Sequence, residues 1–186
     1  YPQQQNSSHS STNNTTDNPV CNEKRKYQEI LASKTPHGFC TFFDLDEARA
    51  YARKVNKPVF IDFTGHTCAN CRQMEHKVWP DKRVQDLLNQ EFVMVSLYVD
   101  EKEPLPQPVK LPGGKKLRTV GDQWLQLQVE RYGALAQPFY VLVDADNTML
   151  TPKGVGYTPD VEEYLAFLNE GLRKFKDGAG KRLTQN

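Results

Sequence analysis

Long hydrophobic runs are missing from this sequence. The most apolar stretch, Phe92 to Val99, is broken by Ser96 and falls far short of the ~20 residues that cross a bilayer. Charge of one sign is also missing. The net charge is +1 with 25% charged residues, so no basic surface calls for nucleic acid or anionic lipid. Cysteine is scarce: four in 186 residues are too few for a disulfide scaffold and suit a redox protein in either kind of compartment. No internal repeat is visible. There is no initiator Met and no signal peptide, so the expectation is a processed protein or an excised piece. Length alone allows one domain plus extensions.

Residues 1 to about 21 are Gln, Ser, Asn and Thr with almost no apolar side chains, too little to offset ordering entropy. The expectation is a flexible tether over 1–38, with a short helix over 23–32 that Pro36-His37-Gly38 ends. A main domain over 39–176 follows, with a tail over 177–186 whose Gly and Lys read as frayed. Within the domain, Phe39 to Phe43 reads as a strand. Asp44 and Glu47 form a capping box for a helix to Asn56 whose Leu45, Ala48, Ala52 and Val55 share a face. Val59 to Phe63 is short, branched and aromatic, the signature of a buried strand.

Directly after that strand stands Gly65-His66-Thr67-Cys68-Ala69-Asn70-Cys71, and helix formers then run to Pro80. A helix starting at Cys68 carries Cys71 one turn on and on nearly the same face, close enough for a disulfide. The orphan N–H groups and dipole of a helix start favour a thiolate and lower its pKa from ~8.5 toward ~7. A zinc half-site is the competing reading, but zinc needs more ligands, and Cys21, Cys40, His66 and His76 lack the spacing. Cys21 and Cys40 are either a structural disulfide of an oxidising compartment or idle thiols.

Asp81 caps another short helix with Val84, Leu87 and Leu88 inward, and 92–99 reads as a strand covered on both faces. Residues 101–122 hold Pro104, Pro106, Pro108 and Pro112, Gly113-Gly114 and a basic cluster from Lys115 to Arg118. They predict a long, partly ordered insertion near a partner site. A helix over 123–132 stops at Gly133, with Trp124, Leu127 and Tyr132 inward. Gln137-Pro138 opens a strand to Asp144, a turn leads to a hairpin strand at 148–150, and one more short piece follows at 154–157. A last helix over 160–176 carries Tyr164, Leu165, Leu168 and Leu172 in register. Trp79, Trp124 and Tyr98 read as core.

This order of elements, with Cys-x-x-Cys after the central strand and an x-Pro before the last strands, resembles the thioredoxin fold over roughly residues 39 to 176. Segments 57–65, 68–75, 95–100 and 137–142 are similar to the C-terminal periplasmic domain of the DsbD thiol:disulfide interchange family. The resemblance implies an α/β protein with a central mixed β-sheet, helices on both faces and a long Pro-rich insertion. It implies Cys68 as nucleophile and Cys71 as resolving thiol, with Asp62 and Glu75 as carboxylates tuning their protons and Pro138 as a cis-proline facing the disulfide. His66, Thr67, Ala69, Asn70 and Gln137 would border the substrate, although His66 by its own residue context reads as a solvated loop residue sooner than as a stabiliser of the thiolate. His66-Thr67 and Ala69-Asn70 depart from thioredoxin's own residues, so its potential and partners do not carry over.

By the same resemblance the chain would be a periplasmic, monomeric protein-disulfide reductase in the electron relay of cytochrome c biogenesis. A membrane-embedded donor would supply it, and exported thiol proteins would receive its electrons. It would need no cofactor, metal or nucleic acid. A free-standing oxidase or isomerase, or a non-catalytic thioredoxin-like binding module, are the rival expectations.

Overall fold

The computed structural model describes residues 18–183. Its centre is the strand β1 (Val59–Thr64), buried along its whole length. The parallel strand β2 (Val93–Tyr98) lies on one side of it and the antiparallel strand β5 (Phe139–Val143) on the other. Alternation along β1 divides the core in two. Phe60 joins Met74, Val78, Leu88, Tyr164 and Leu168 on one face. Val59, Ile61 and Phe63 join Ala48, Ala52, Val120 and Trp124 on the other. Helices α3 (Ala69–Lys77), α4 (Lys82–Gln90) and α6 (Val161–Leu183) therefore cover the first face. Helices α2 (Leu45–Val55) and α5 (Val120–Tyr132) cover the second. Asp62 follows Phe60 by two residues and so points toward α3.

Both sheet edges are shorter than the sequence predicts. The expected strand 39–43 contributes one bridge, Phe42 to Val95, because its neighbours turn inward. Phe39 meets Trp79 edge-on, Phe43 joins Leu31 and Tyr98, and Asp44 accepts the Glu47 N–H to cap α2. Glu47 does not complete the capping box; its carboxylate accepts the Lys26 N–H. The expected strand 148–150 likewise reduces to the Val143–Met149 bridge, because Asp144 takes the N–H groups of Asp146 and Thr148. The piece at 154–157 is a bridge from Val155 to Tyr140.

The expected tether is a packed strap from residue 18 onward; residues 1–17 lie outside the described residues. It holds the short helix α1 (Gln28–Leu31), which covers less than the expected 23–32, between short 3-10 turns. Val20 and Leu31 are buried, and a disulfide joins Cys21 to Cys40. That bond closes a loop of sequence separation 19, so removing it with the pair Cys21→Ser and Cys40→Ser is expected to cost about 3 kcal/mol in urea unfolding. At the other end α6 runs on to Leu183, through Gly178, where a frayed tail was expected; residues 184–186 lie outside the described residues.

The insertion is ordered. Strands β3 (Pro104–Lys110) and β4 (Lys116–Thr119) form an antiparallel hairpin. Pro112, Gly113 with φ 88° and a Gly114 N–H to Leu111 C=O bond of 3.1 Å match a type II turn at its tip. Helix α5 starts at Val120, earlier than expected, because Thr119 and Asp122 make a reciprocal capping box.

Candidate active site

Where β1 ends, the chain turns through Gly65 to Thr67 before α3 begins. The Asp100 carboxylate, just past the end of the neighbouring strand, holds this turn. It accepts the His66 N–H at 2.9 Å and the Thr67 N–H at 3.4 Å. A Cβ at Gly65 would stand 3.2 Å from that carboxylate. Cys68 is the N-cap of α3, its Sγ accepting the Cys71 N–H at 3.1 Å, and the two cysteines are joined as a disulfide. Cys68 is half-buried, whereas Cys71 is 2% exposed. Only the first sulfur reaches the rim.

That rim surrounds an open depression of about 400 Å³. Of the residues expected there, Thr67, Cys68, Ala69, Asn70 and Gln137 line it. His66 does not. Its ring stacks on Tyr98 at 4.6 Å and its Nε2 meets the Glu101 carboxylate at 2.7 Å, so it is a partly exposed, held side chain outside the depression's lining. Burial pushes the Glu101 carboxyl up, but the Glu103 N–H, His66 and the Lys102 N–H together outweigh it and hold the group low. Gly65, Val99 and Asp100 also line the depression, and the sequence reading missed them. The parallel register was the available signal, since residues following β2 must lie beside those following β1.

The Gln137–Pro138 peptide is cis. Gln137 is held by Gln128, which also donates to the Ala136 carbonyl, with bonds of 2.8 and 2.9 Å. Gln128 is fully buried and lies four residues from Trp124 on the inner face of α5. It too escaped the sequence reading.

Two buried carboxyls belong to β1 and α3. Asp62 is 4% exposed, and its pKa is pushed up to about 8, first by burial and then by Glu75, against Arg72 and Ser96. Glu75 is 7% exposed and is raised by burial, with Arg72, His76 and His37 opposing. Arg72 binds Glu75 Oε1 at 3.0 Å and reaches back to Thr64 Oγ1 and the Gly65 carbonyl at 3.2 and 3.3 Å. Its spacing of three residues from Glu75 was visible in the sequence as a helical ion pair. His37 of the N-terminal strap meets the Glu75 carbonyl at 2.6 Å.

Residues 41–145, more than half the chain, match the family described as thioredoxin-like. The chain belongs to that family. Its match takes in β1, the Cys68–Cys71 pair, the hairpin and β5, and the pair is of the Cys-x-x-Cys type that thioredoxin-like disulfide oxidoreductases carry. Among solved structures, a DsbH oxidoreductase is similar at 21% identity and TM-score 0.49, over 68% of this chain and 80% of its own. A thioredoxin from Thermus thermophilus is similar at 22% and 0.47, over 70% and 85%. The reduced C-terminal domain of Neisseria meningitidis DsbD is similar at 17% and 0.49, over 68% and 93%. No curated protein sequence matches. Among the described residues no helix of this thioredoxin-like chain is long and apolar enough to cross a membrane.

Proposed function

We propose that this protein is a protein-disulfide reductase that passes two electrons from the Cys68–Cys71 dithiol to exported thiol proteins. One observation carries the reading: Cys68 stands at the rim of the depression, while Cys71, bonded to it, is sealed behind it. In the reduced protein the Cys68 thiolate attacks one sulfur of the substrate disulfide and forms a mixed disulfide. The other substrate sulfur leaves as a thiolate and takes a proton from water. Cys71 then gives its proton to the Asp62 carboxylate, whose pKa of about 8 is close to the ~8.5 of an ordinary thiol. The Cys71 thiolate attacks Cys68 Sγ, the Cys68–Cys71 disulfide forms, and the substrate departs with both sulfurs reduced.

The dithiol is the only redox group these steps use. An exported, oxidising setting agrees with the second disulfide, Cys21–Cys40. A membrane-embedded donor that re-reduces the pair is supported by the likeness of several segments to the DsbD family. The test is insulin reduction together with a reduction potential. Wild type is expected to precipitate insulin and Cys68→Ser to be inert, with a potential more negative than the ~ −180 mV of an isomerase. Equal inactivity of both proteins would point to a binding module, and a higher potential to an oxidase or isomerase.

A further inference from the structure

The hairpin is far from charge-neutral. Between Pro104 and Thr119 stand Lys110, Lys115, Lys116 and Arg118, and no acidic residue. The register pairs Val109 with Leu117 and Lys110 with Lys116. Leu117 is buried, so alternation turns Lys110, Lys116 and Arg118 together onto the outer face, where all three are exposed. Lys110 and Lys116 are directly opposite, an arrangement of like charges that destabilises a strand pair. Among the described residues none of the four cations has an ion pair; Lys115 meets only the neutral Gln126 amide oxygen at 3.4 Å.

Nor is the hairpin remote from the cysteines. It leaves the sheet at Glu101, which holds His66, and returns at Gly121, whose N–H bonds the Glu101 carbonyl at 3.0 Å. Asp100, one residue before, borders the depression beside Cys68. Pro104, Pro106 and Pro108 strip three donors from the exposed strand, so an added β-strand would find no continuous ladder there. What the hairpin offers a partner is its charged face.

We propose that the 104–119 hairpin is a docking arm for an acidic face on the disulfide-bearing protein partner. The proposal rests on the reductase reading above and assigns the kind of substrate that the site receives. An acidic surface would supply the counter-charge that the Lys110–Lys116 pair lacks. From Pro104 to Lys110 the strand spans roughly 20 Å, beyond the ~8 Å screening length at physiological salt. The tip charges therefore act on what lies against the tip and not on the base of the hairpin.

The test uses two synthetic peptides that share one disulfide-closed core, flanked by Glu in one and by Lys in the other. At low ionic strength the pre-reduced wild type is expected to reduce the Glu-flanked peptide with kcat/KM at least about tenfold above the Lys-flanked one. K110E/K115E/K116E should reverse that order, and high salt should erase it. K110Q/K116Q removes the like-charge opposition without adding charge, so it keeps the hairpin folded and should give an intermediate preference. A small uncharged disulfide should be reduced equally by all three proteins. Equal rates on the two peptides, or a preference that survives K110E/K115E/K116E, overturn the docking arm and leave the reductase standing. Failure of wild type to reduce either peptide sinks the reductase reading itself. Lys110- and Lys116-dependent binding to phosphatidylserine vesicles, with no peptide preference, overturns the proposal in favour of a membrane surface.

Discussion

Cys71→Ser is expected to stop turnover by at least about a thousandfold and to leave the protein joined to its substrate through Cys68. The first exchange needs only the sulfur at the helix start, which this variant retains. The second needs a thiolate at position 71, and a serine hydroxyl is far too weakly acidic to replace it. Cys71 is 2% exposed, so no outside thiol can easily take its place. The adduct should be visible as a mass increase that dithiothreitol removes, and it should map to Cys68, since Cys21 and Cys40 are bonded to each other. Turnover by Cys71→Ser without an adduct would refute the division of labour. Trapping from an extract would also name the partner.

Asp62→Asn should make the folded protein more stable at alkaline pH and its chemistry slower. The folded state holds this carboxyl near pH 8, well above the ~3.9 of an unfolded chain. The folded protein therefore binds the proton more tightly than the unfolded one, and its stability falls as pH rises from about 4 to about 8. Above that window the cost is constant, and below it the two states carry the same proton. The full gap corresponds to roughly 6 kcal/mol, and relaxation around a buried carboxylate will reduce it. Urea unfolding of the disulfide form should show the variant gaining about 2–5 kcal/mol on wild type between pH 4 and 8.5. Glu75 lies in both proteins, so its own contribution largely cancels. Near pH 8 and above, where the wild-type carboxyl is ionised, kcat/KM is expected to fall about a hundredfold, because an amide cannot receive the Cys71 proton, and the deficit should shrink at lower pH. A stability difference that does not change with pH, or unchanged kinetics, would remove Asp62 from the mechanism.

Much of this was readable from residues in order. The buried strand before Cys68, the helix that Cys68 caps and the helix that Asp44 caps are local patterns, and each stands where the pattern places it. Pro138 is cis, as the thioredoxin resemblance implied. What escaped was non-local or carried by misleading residue types. The partner of His66 is Glu101, 35 residues on, and no spacing rule joins them. Proline usually marks a loop, so Pro104, Pro106 and Pro108 hid an edge strand that needs few donors. The Thr119–Asp122 capping box went unseen inside the same stretch, and with it the true start of α5. Gly178 reads as a breaker, yet in a helix it costs only about 1 kcal/mol, less than the packing of Tyr164, Leu168, Leu172 and Phe175 supplies. Over residues 18–38 the expected tether is instead ordered, by a few apolar anchors and one covalent link, whereas the Gln-, Ser- and Asn-rich residues 1–17 lie outside the described residues.

The bond between the Gly121 amide and the Glu101 carbonyl closes a neck beneath the hairpin. A Cβ at Gly121 would come within 2.6 Å of the Glu101 backbone, so the two chain directions meet there as closely as a backbone allows. Everything beyond the neck is thus an appendage on a loop already shut at its base. Its length and charge can drift over evolutionary time without disturbing the sheet or the cysteines. If the hairpin is the docking arm proposed above, exchanging it would change which clients are met, while the chemistry beneath would stay as it is.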